Sequence, residues 1–116
     1  MTTETMNEAL IAALENLKGQ NIVTLDVSKL SDLMDTLIIV TGTSTRHVKS
    51  LASNVIEEAK AKGFRPIGSE GEQDGDWVLV DFGDSVVHVM SSSAREFYDL
   101  EKLWSKVPAN RKIDPV

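Results

Sequence analysis

The chain has 116 residues, 41% of them hydrophobic, enough to bury one core without disulfides and to argue against disorder. Twelve Lys and Arg against 18 Asp and Glu leave a net charge of −6. That argues against binding nucleic acid chiefly through phosphates and leaves room for a basic partner; no Cys and only two His disfavour thiol chemistry and His- or Cys-rich metal sites.

Met6, Ala9, Leu10, Ala13, Leu14 and Leu17 recur at helical spacing and predict an amphipathic helix, closed by a basic Lys18 and by Gly19 at C′. Residues 21–27 predict a strand, with Val23, Leu25 and Val27 on one face and Ile22, Thr24 and Asp26 on the other. A polar connection over residues 28–35 leads to Thr36-Leu37-Ile38-Ile39-Val40-Thr41, apolar on both faces as a covered central strand should be. Gly42-Thr43-Ser44 opens a second helix, with Ser44 as N-cap and a stripe of Val48, Leu51, Ala52, Val55, Ile56 and Ala59. Lys60, Lys62 and Gly63 close it. Residues 64–75 contain Pro66 and three Gly, which predicts a short strand and then a loop.

The clearest hairpin follows. Residues 77–82 and 86–90 are rich in β-formers and flank Gly83-Asp84-Ser85. A two-residue type II′ turn at Gly83-Asp84 pairs Phe82 with Ser85, Val80 with Val87, Leu79 with His88, Val78 with Val89 and Trp77 with Met90. This register gathers Val78, Val80, Val87 and Val89 on one face and Trp77, Leu79, Asp81, Val86, His88 and Met90 on the other; a three-residue turn would mix them. Ser93 and Glu96 then read as a capping box for a third helix carrying Phe97, Leu100, Leu103, Trp104 and Val107, ended by Pro108. The element order predicts a mixed α/β (α+β) fold, a mixed sheet flanked by helices. Residues 1–107 are expected to form a single domain and residues 108–116 a flexible tail. No run approaches the roughly 20 apolar residues that span a bilayer. Residues 1–8 carry two acids and no base, unlike a secretory signal, so a soluble cytoplasmic protein is expected.

Several residues invite a chemical reading. Gly42-Thr43-Ser44 lies between a buried strand and a helix, where a helix N-terminus can hold a phosphate, or where a tight turn simply ends in an N-cap; the longer glycine spacing of a nucleotide fingerprint is absent. His47 has no local acid to orient it as a base, which favours a surface or capping role. Asp26 and Asp81 could hold magnesium only if the fold made them neighbours. Glu70, Glu72, Asp74, Asp76, Asp81 and Asp84 are six acids within 15 residues without a base, either a solvated surface or a patch that steers a basic partner. Aromatic residues are scarce at 5%, so Trp77 on the partly polar hairpin face and Tyr98, about 100° off the Phe97 line of its helix, read either as core or as interface anchors.

Leu25-Asp26-Val27, the run from Thr41 to Val48, Glu70-Gly71, the run from Asp76 to Asp84, Val87-His88-Val89 and the pattern Arg95-x-Phe97-Tyr98-x-Leu100-Glu101-x-Leu103-Trp104 together resemble the Iojap-like family of bacterial ribosomal silencing factors. The resemblance runs in order over about residues 7 to 106. It implies a mixed α/β fold related to nucleotidyltransferases and no cofactor. It implies binding to the large ribosomal subunit through large-subunit ribosomal protein fourteen, where the bound factor blocks joining of the small subunit and lowers translation when nutrients are short. The nucleotidyltransferase relatives follow a Gly-Ser turn with strand carboxylates for magnesium. Here residues 45–49 contain no acid, so the chain is expected not to be an enzyme, with a small nucleotide-binding transferase as the alternative. The expected contact surface is Trp77, Leu79, His88, Met90, Tyr98 and Glu101. A homodimer through that face when no ribosome is present is a further expectation; sequence-specific nucleic-acid binding is not.

Overall fold

The computed structural model describes residues 3–106. Val107, Pro108 and the tail expected over residues 108–116 lie outside them. In chain order the elements are α1 (Thr3–Asn16), β1 (Gln20–Asp26), β2 (Thr36–Gly42), α2 (Thr45–Ala61), β3 (Gly68–Glu70), β4 (Trp77–Asp81), β5 (Ser85–Ser91), α3 (Ser92–Tyr98) and α4 (Leu100–Lys106). The five strands form one sheet in the order β1-β2-β5-β4-β3. The β2–β5 pair is parallel and the other three are antiparallel, so the sheet is mixed as expected. β2 lies next to the centre and is buried along its whole length, which its two-sided apolar pattern requires.

The hairpin has the expected register, with Trp77 opposite Met90, Leu79 opposite His88 and Val80 opposite Val87. Phe82 N–H donates to the Ser85 carbonyl at 2.9 Å, and Gly83 adopts φ 91, open to glycine at no steric cost. Val78, Val80, Val87 and Val89 are fully buried against α1 and α2, together with Leu10, Leu14, Ile38, Val40, Leu51 and Val55. Each such side chain contributes about 1.5–3 kcal/mol through burial, which makes this the main core. A smaller core lies across the sheet, where Val27, Leu37, Ile39, Val86 and Met90 meet Ala94 of α3 and Leu100 of α4.

Three helix ends differ from expectation. The left-handed residue closing α1 is Lys18 (φ 60), not Gly19. Lys18 N–H reaches the Glu15 carbonyl and Gly19 N–H the Leu14 carbonyl, both at 2.9 Å, which is a Schellman closure. Gly19 serves a different need, because a Cβ there would stand 2.6 Å from a Val40 methyl. Leu17, expected in the apolar stripe, is 37% exposed. The N-cap of α3 is Ser91 rather than Ser93: its hydroxyl accepts from Ala94 N–H at 3.1 Å. The expected single third helix is two seven-residue helices, broken at Asp99 in the left-handed conformation (φ 50, ψ 55).

Candidate functional site

The two faces of the sheet are unequally covered. α1 and α2 close one face, and α2 turns Arg46, Lys49, Ser50 and Ser53 to solvent. The other face has only the short α3 and α4 over it, with Trp77, Leu79 and Trp104 partly buried at their margins.

Trp77, first in β4, and His88, in β5, are diagonal neighbours on this face. The indole N–H of Trp77 donates to Nδ1 of His88 at 2.9 Å. That bond requires Nδ1 to be an acceptor, which assigns the neutral tautomer with its proton on Nε2. Burial pushes the His88 imidazole down to about 4, which keeps it neutral. Tyr98, the last residue of α3, sets its ring 4.5 Å from Trp77, and Phe97 meets Tyr98 edge-on at 5.0 Å. The result is a row of His88, Trp77, Tyr98 and Phe97, running from buried to exposed.

Four side chains on or near this row lie otherwise than the sequence suggests. Met90 was expected at the contact surface but is 0% exposed, because α3 and α4 lay Ala94 and Leu100 over its end of the face. His88 is 7% exposed and serves as the acceptor beneath Trp77. Phe97 was expected in the core stripe but is 80% exposed, and Leu103 is 57% exposed. The break at Asp99 changes the phase of the helix, so Ala94 and Leu100 face the sheet while Phe97 and Leu103 do not. Tyr98 is 49% exposed, and Trp77 and Leu79 are half-buried. The sequence signal that could have exposed Phe97 is Asp99 itself, a residue that tolerates the left-handed region and breaks helices.

Glu101 is also differently employed. It forms a two-point ion pair with Arg95, Nε to Oε1 at 3.0 Å and Nη2 to Oε2 at 2.9 Å. The hydrogen bonds from Arg95 hold its carboxyl below the usual range, against the opposing effect of burial. Arg95 Nη1 donates further to the Asn21 carbonyl at 2.7 Å and to Thr41 Oγ1 at 2.8 Å.

The turn at Gly42-Thr43-Ser44 is occupied by its own neighbours. Thr43 N–H donates to His47 Nδ1 at 2.8 Å, so the His47 Nε2–H donates to the Leu17 carbonyl at 2.7 Å. Ser44 Oγ caps α2 by accepting from His47 N–H at 3.0 Å. His47 thus ties the end of α1 to the start of α2, the capping role rather than the catalytic one. Asp26 and Asp81 lie three strand spacings apart in the sheet, about 14 Å. Each closes its own turn, Asp26 accepting from Ser28 N–H at 3.0 Å and Asp81 from Gly83 N–H at 2.8 Å. Among the described residues no group of three or more His, Asp or Glu could hold a metal ion. None of their helices is long and apolar enough to cross a membrane. Of the six clustered acids, Glu70, Glu72, Asp74, Asp76 and Asp84 are exposed around the β3–β4 connection and the hairpin turn.

Comparison with known proteins gives one family. The model of the family "Ribosomal silencing factor during starvation" matches residues 1–116. The ribosomal silencing factor RsfS of Haemophilus influenzae is 48% identical over 98 residues, covering 84% of this chain and 96% of that one. A crystal structure of a Chromobacterium violaceum protein superposes with a TM-score of 0.89 at 47% identity, covering 90% of this chain and 88% of that one. The mouse mitochondrial assembly of ribosomal large subunit protein 1 is 32% identical over 101 residues, covering 84% of this chain and 44% of that protein. By the family match over residues 1–116 and by these relatives, the chain belongs to the family of ribosomal silencing factors.

Proposed function

We propose that this protein binds the large ribosomal subunit through large-subunit ribosomal protein fourteen, using the face formed by Trp77, Leu79, Phe97 and Tyr98. The observation that carries the reading is the aromatic row itself. An exposed Phe97, a half-exposed Tyr98 and a Trp77 packed against Tyr98 form an apolar anchor on a sheet face that two short helices leave partly open. Rigid aromatics of this kind dominate the energy of protein interfaces. The exposed Glu70, Glu72, Asp74 and Asp76, in the chain just ahead of Trp77, supply steering toward a basic partner, which ribosomal proteins commonly are. Occupying the surface where the small subunit docks blocks joining by exclusion alone, with no catalytic step, and lowers translation when nutrients are limiting. A cytoplasmic location, with the ribosomes, goes with this function.

The test is co-sedimentation with purified subunits. The protein should pellet with large subunits and not with small ones, and isolated ribosomal protein fourteen should compete. Equal pelleting with both subunits, or with neither, would overturn the assignment. In the absence of ribosomes the same face pairs two copies about a two-fold axis, in competition with the ribosome. Light scattering over a dilution series reads this directly: a mass that stays at one chain at every concentration contradicts it.

The alternative of a small nucleotidyltransferase has a specific observation against it, the use of Thr43 N–H by His47. Titration with a nucleoside triphosphate and magnesium should give no submicromolar affinity; such an affinity would restore the alternative.

A further inference from the structure

We infer that Arg95 and Glu101 are positioning residues for the partner-binding face: their ion pair selects the broken α3–α4 elbow over a continuous helix, and so sets Tyr98 on Trp77 and Phe97 toward solvent. The inference rests on the reading of that face as the binding surface.

The sequence supports two conformations here. Phe97, Leu100, Leu103 and Trp104 lie at helical spacing, so an unbroken helix from Ser92 onward would present them as one apolar stripe. The structure breaks that helix at Asp99, in a left-handed conformation that Asp tolerates better than most residues but that still costs more than the right-handed helical one. Each seven-residue half is too short to hold itself together. Only Ala94 and Leu100 of the two helices are buried among their described side chains. Something besides apolar packing must therefore favour the break.

The Arg95–Glu101 pair has the required property. The residues are six apart, and on a continuous α-helix that separation places them about 240° around the axis and about 9 Å along it. Positions so related do not face each other, whereas those three or four apart do. The two-point contact at 2.9 and 3.0 Å therefore exists only in the elbow. Arg95 is anchored in turn by the Asn21 carbonyl of β1 and the Thr41 hydroxyl of β2, and its side chain is 11% exposed. The guanidinium is thus a fixed post on the sheet, and Glu101 is the hook that draws the first turn of α4 back to it. The planar fork of Arg suits the task; Lys would offer one point of contact. Local contacts finish the elbow, with Asp99 N–H bonded to the Arg95 carbonyl at 2.9 Å and Leu103 N–H to the Asp99 carbonyl at 3.1 Å.

The experiment uses the full chain. In the free protein, NMR reads the contact between the Trp77 and Tyr98 rings; in parallel, co-sedimentation reads affinity for purified large subunits. Glu101→Ala should weaken the ring contact and lower affinity at least tenfold. Adding Asp99→Gly, which favours the left-handed break and disfavours a continuous helix, should restore both in part. Should Glu101→Ala fail to fold, Glu101→Gln carries the same two readouts with smaller expected losses. An intact ring contact in the variant, with affinity lost or kept, would overturn the inference. So would a weakened contact with unchanged affinity, or no restoration by Asp99→Gly. Failure of the wild-type protein to bind large subunits would overturn the proposed function instead, and the ring contact would still decide whether the pair holds the elbow.

Discussion

The indole N–H of Trp77 donates to Nδ1 of His88 across the β4–β5 pair at 2.9 Å, so the central aromatic of the face stands on a histidine that must be neutral. Burial pushes that histidine down to about 4 from its ordinary 6.5. Between those values the unfolded chain takes up a proton that the folded chain refuses. Stability from this group is complete above pH 6.5 and falls as the pH drops through the window, by about 3 kcal/mol in all. Glu101, held low by Arg95, acts in the same direction in more acid solution, its contribution being lost as pH falls through its folded value. Urea unfolding as a function of pH checks the first statement. His88→Gln should be less stable at neutral pH and should show a shallower slope between pH 6.5 and 4. An unchanged slope would contradict it.

Trp77 is a contact residue that is also half-buried, and its two roles separate by the choice of substitution. Trp77→Phe keeps a ring against Tyr98 but leaves His88 Nδ1 without its donor, at a stability cost of about 1–3 kcal/mol. Trp77→Ala also removes the anchor, and truncating a central interface aromatic typically costs about 2–4 kcal/mol of binding. That corresponds to roughly a 30- to 700-fold loss of affinity. Thermal unfolding and large-subunit binding should be measured on both variants. Binding by Trp77→Ala within a few-fold of the wild type would remove Trp77 from the interface.

Phe97 and Met90 form a contrasting pair, one 80% and the other 0% exposed. Phe97→Ala should leave the unfolding transition nearly unchanged and lower large-subunit affinity at least tenfold. Met90→Ala opens a cavity under α3 and should cost about 2–5 kcal/mol of stability. A stable Met90→Ala protein, or a Phe97→Ala protein that binds normally, would reverse the assignment of which side chain faces the partner.

Much of this arrangement was legible in the residues, and the part that was not has a physical reason. Alternation along residues 77–90 determines the hairpin register, because a slip of one residue would put the two valines of one strand on the opposite face from the two of the other. Ser44, Val48 and Gly63 specify α2 from cap to cap, and the all-buried β2 follows from its apolar run. Alternation says which face a strand residue occupies, but not what covers that face. Met90 and Trp77 share one side of the hairpin, yet α3 and α4 bury the first and leave the second half-open. The break at Asp99 was hidden for a related reason: the local pattern from Phe97 to Trp104 fits a single helix. The pair that favours the elbow joins Arg95 to β1 and β2, contacts 74 and 54 residues away in the chain. Lys18 in place of Gly19 at the end of α1 is the same lesson on a smaller scale, since the glycine is required by Val40 from another element.

Formation of joined ribosomes from purified subunits tests the account most directly. Large subunits are incubated with saturating protein before small subunits are added, and the mixture is resolved by sedimentation. The joined particle should decline in proportion to protein bound, and Phe97→Ala and Trp77→Ala should leave joining intact at the same concentration. Undiminished formation of joined ribosomes, with the wild-type protein demonstrably bound to the large subunit, would contradict it.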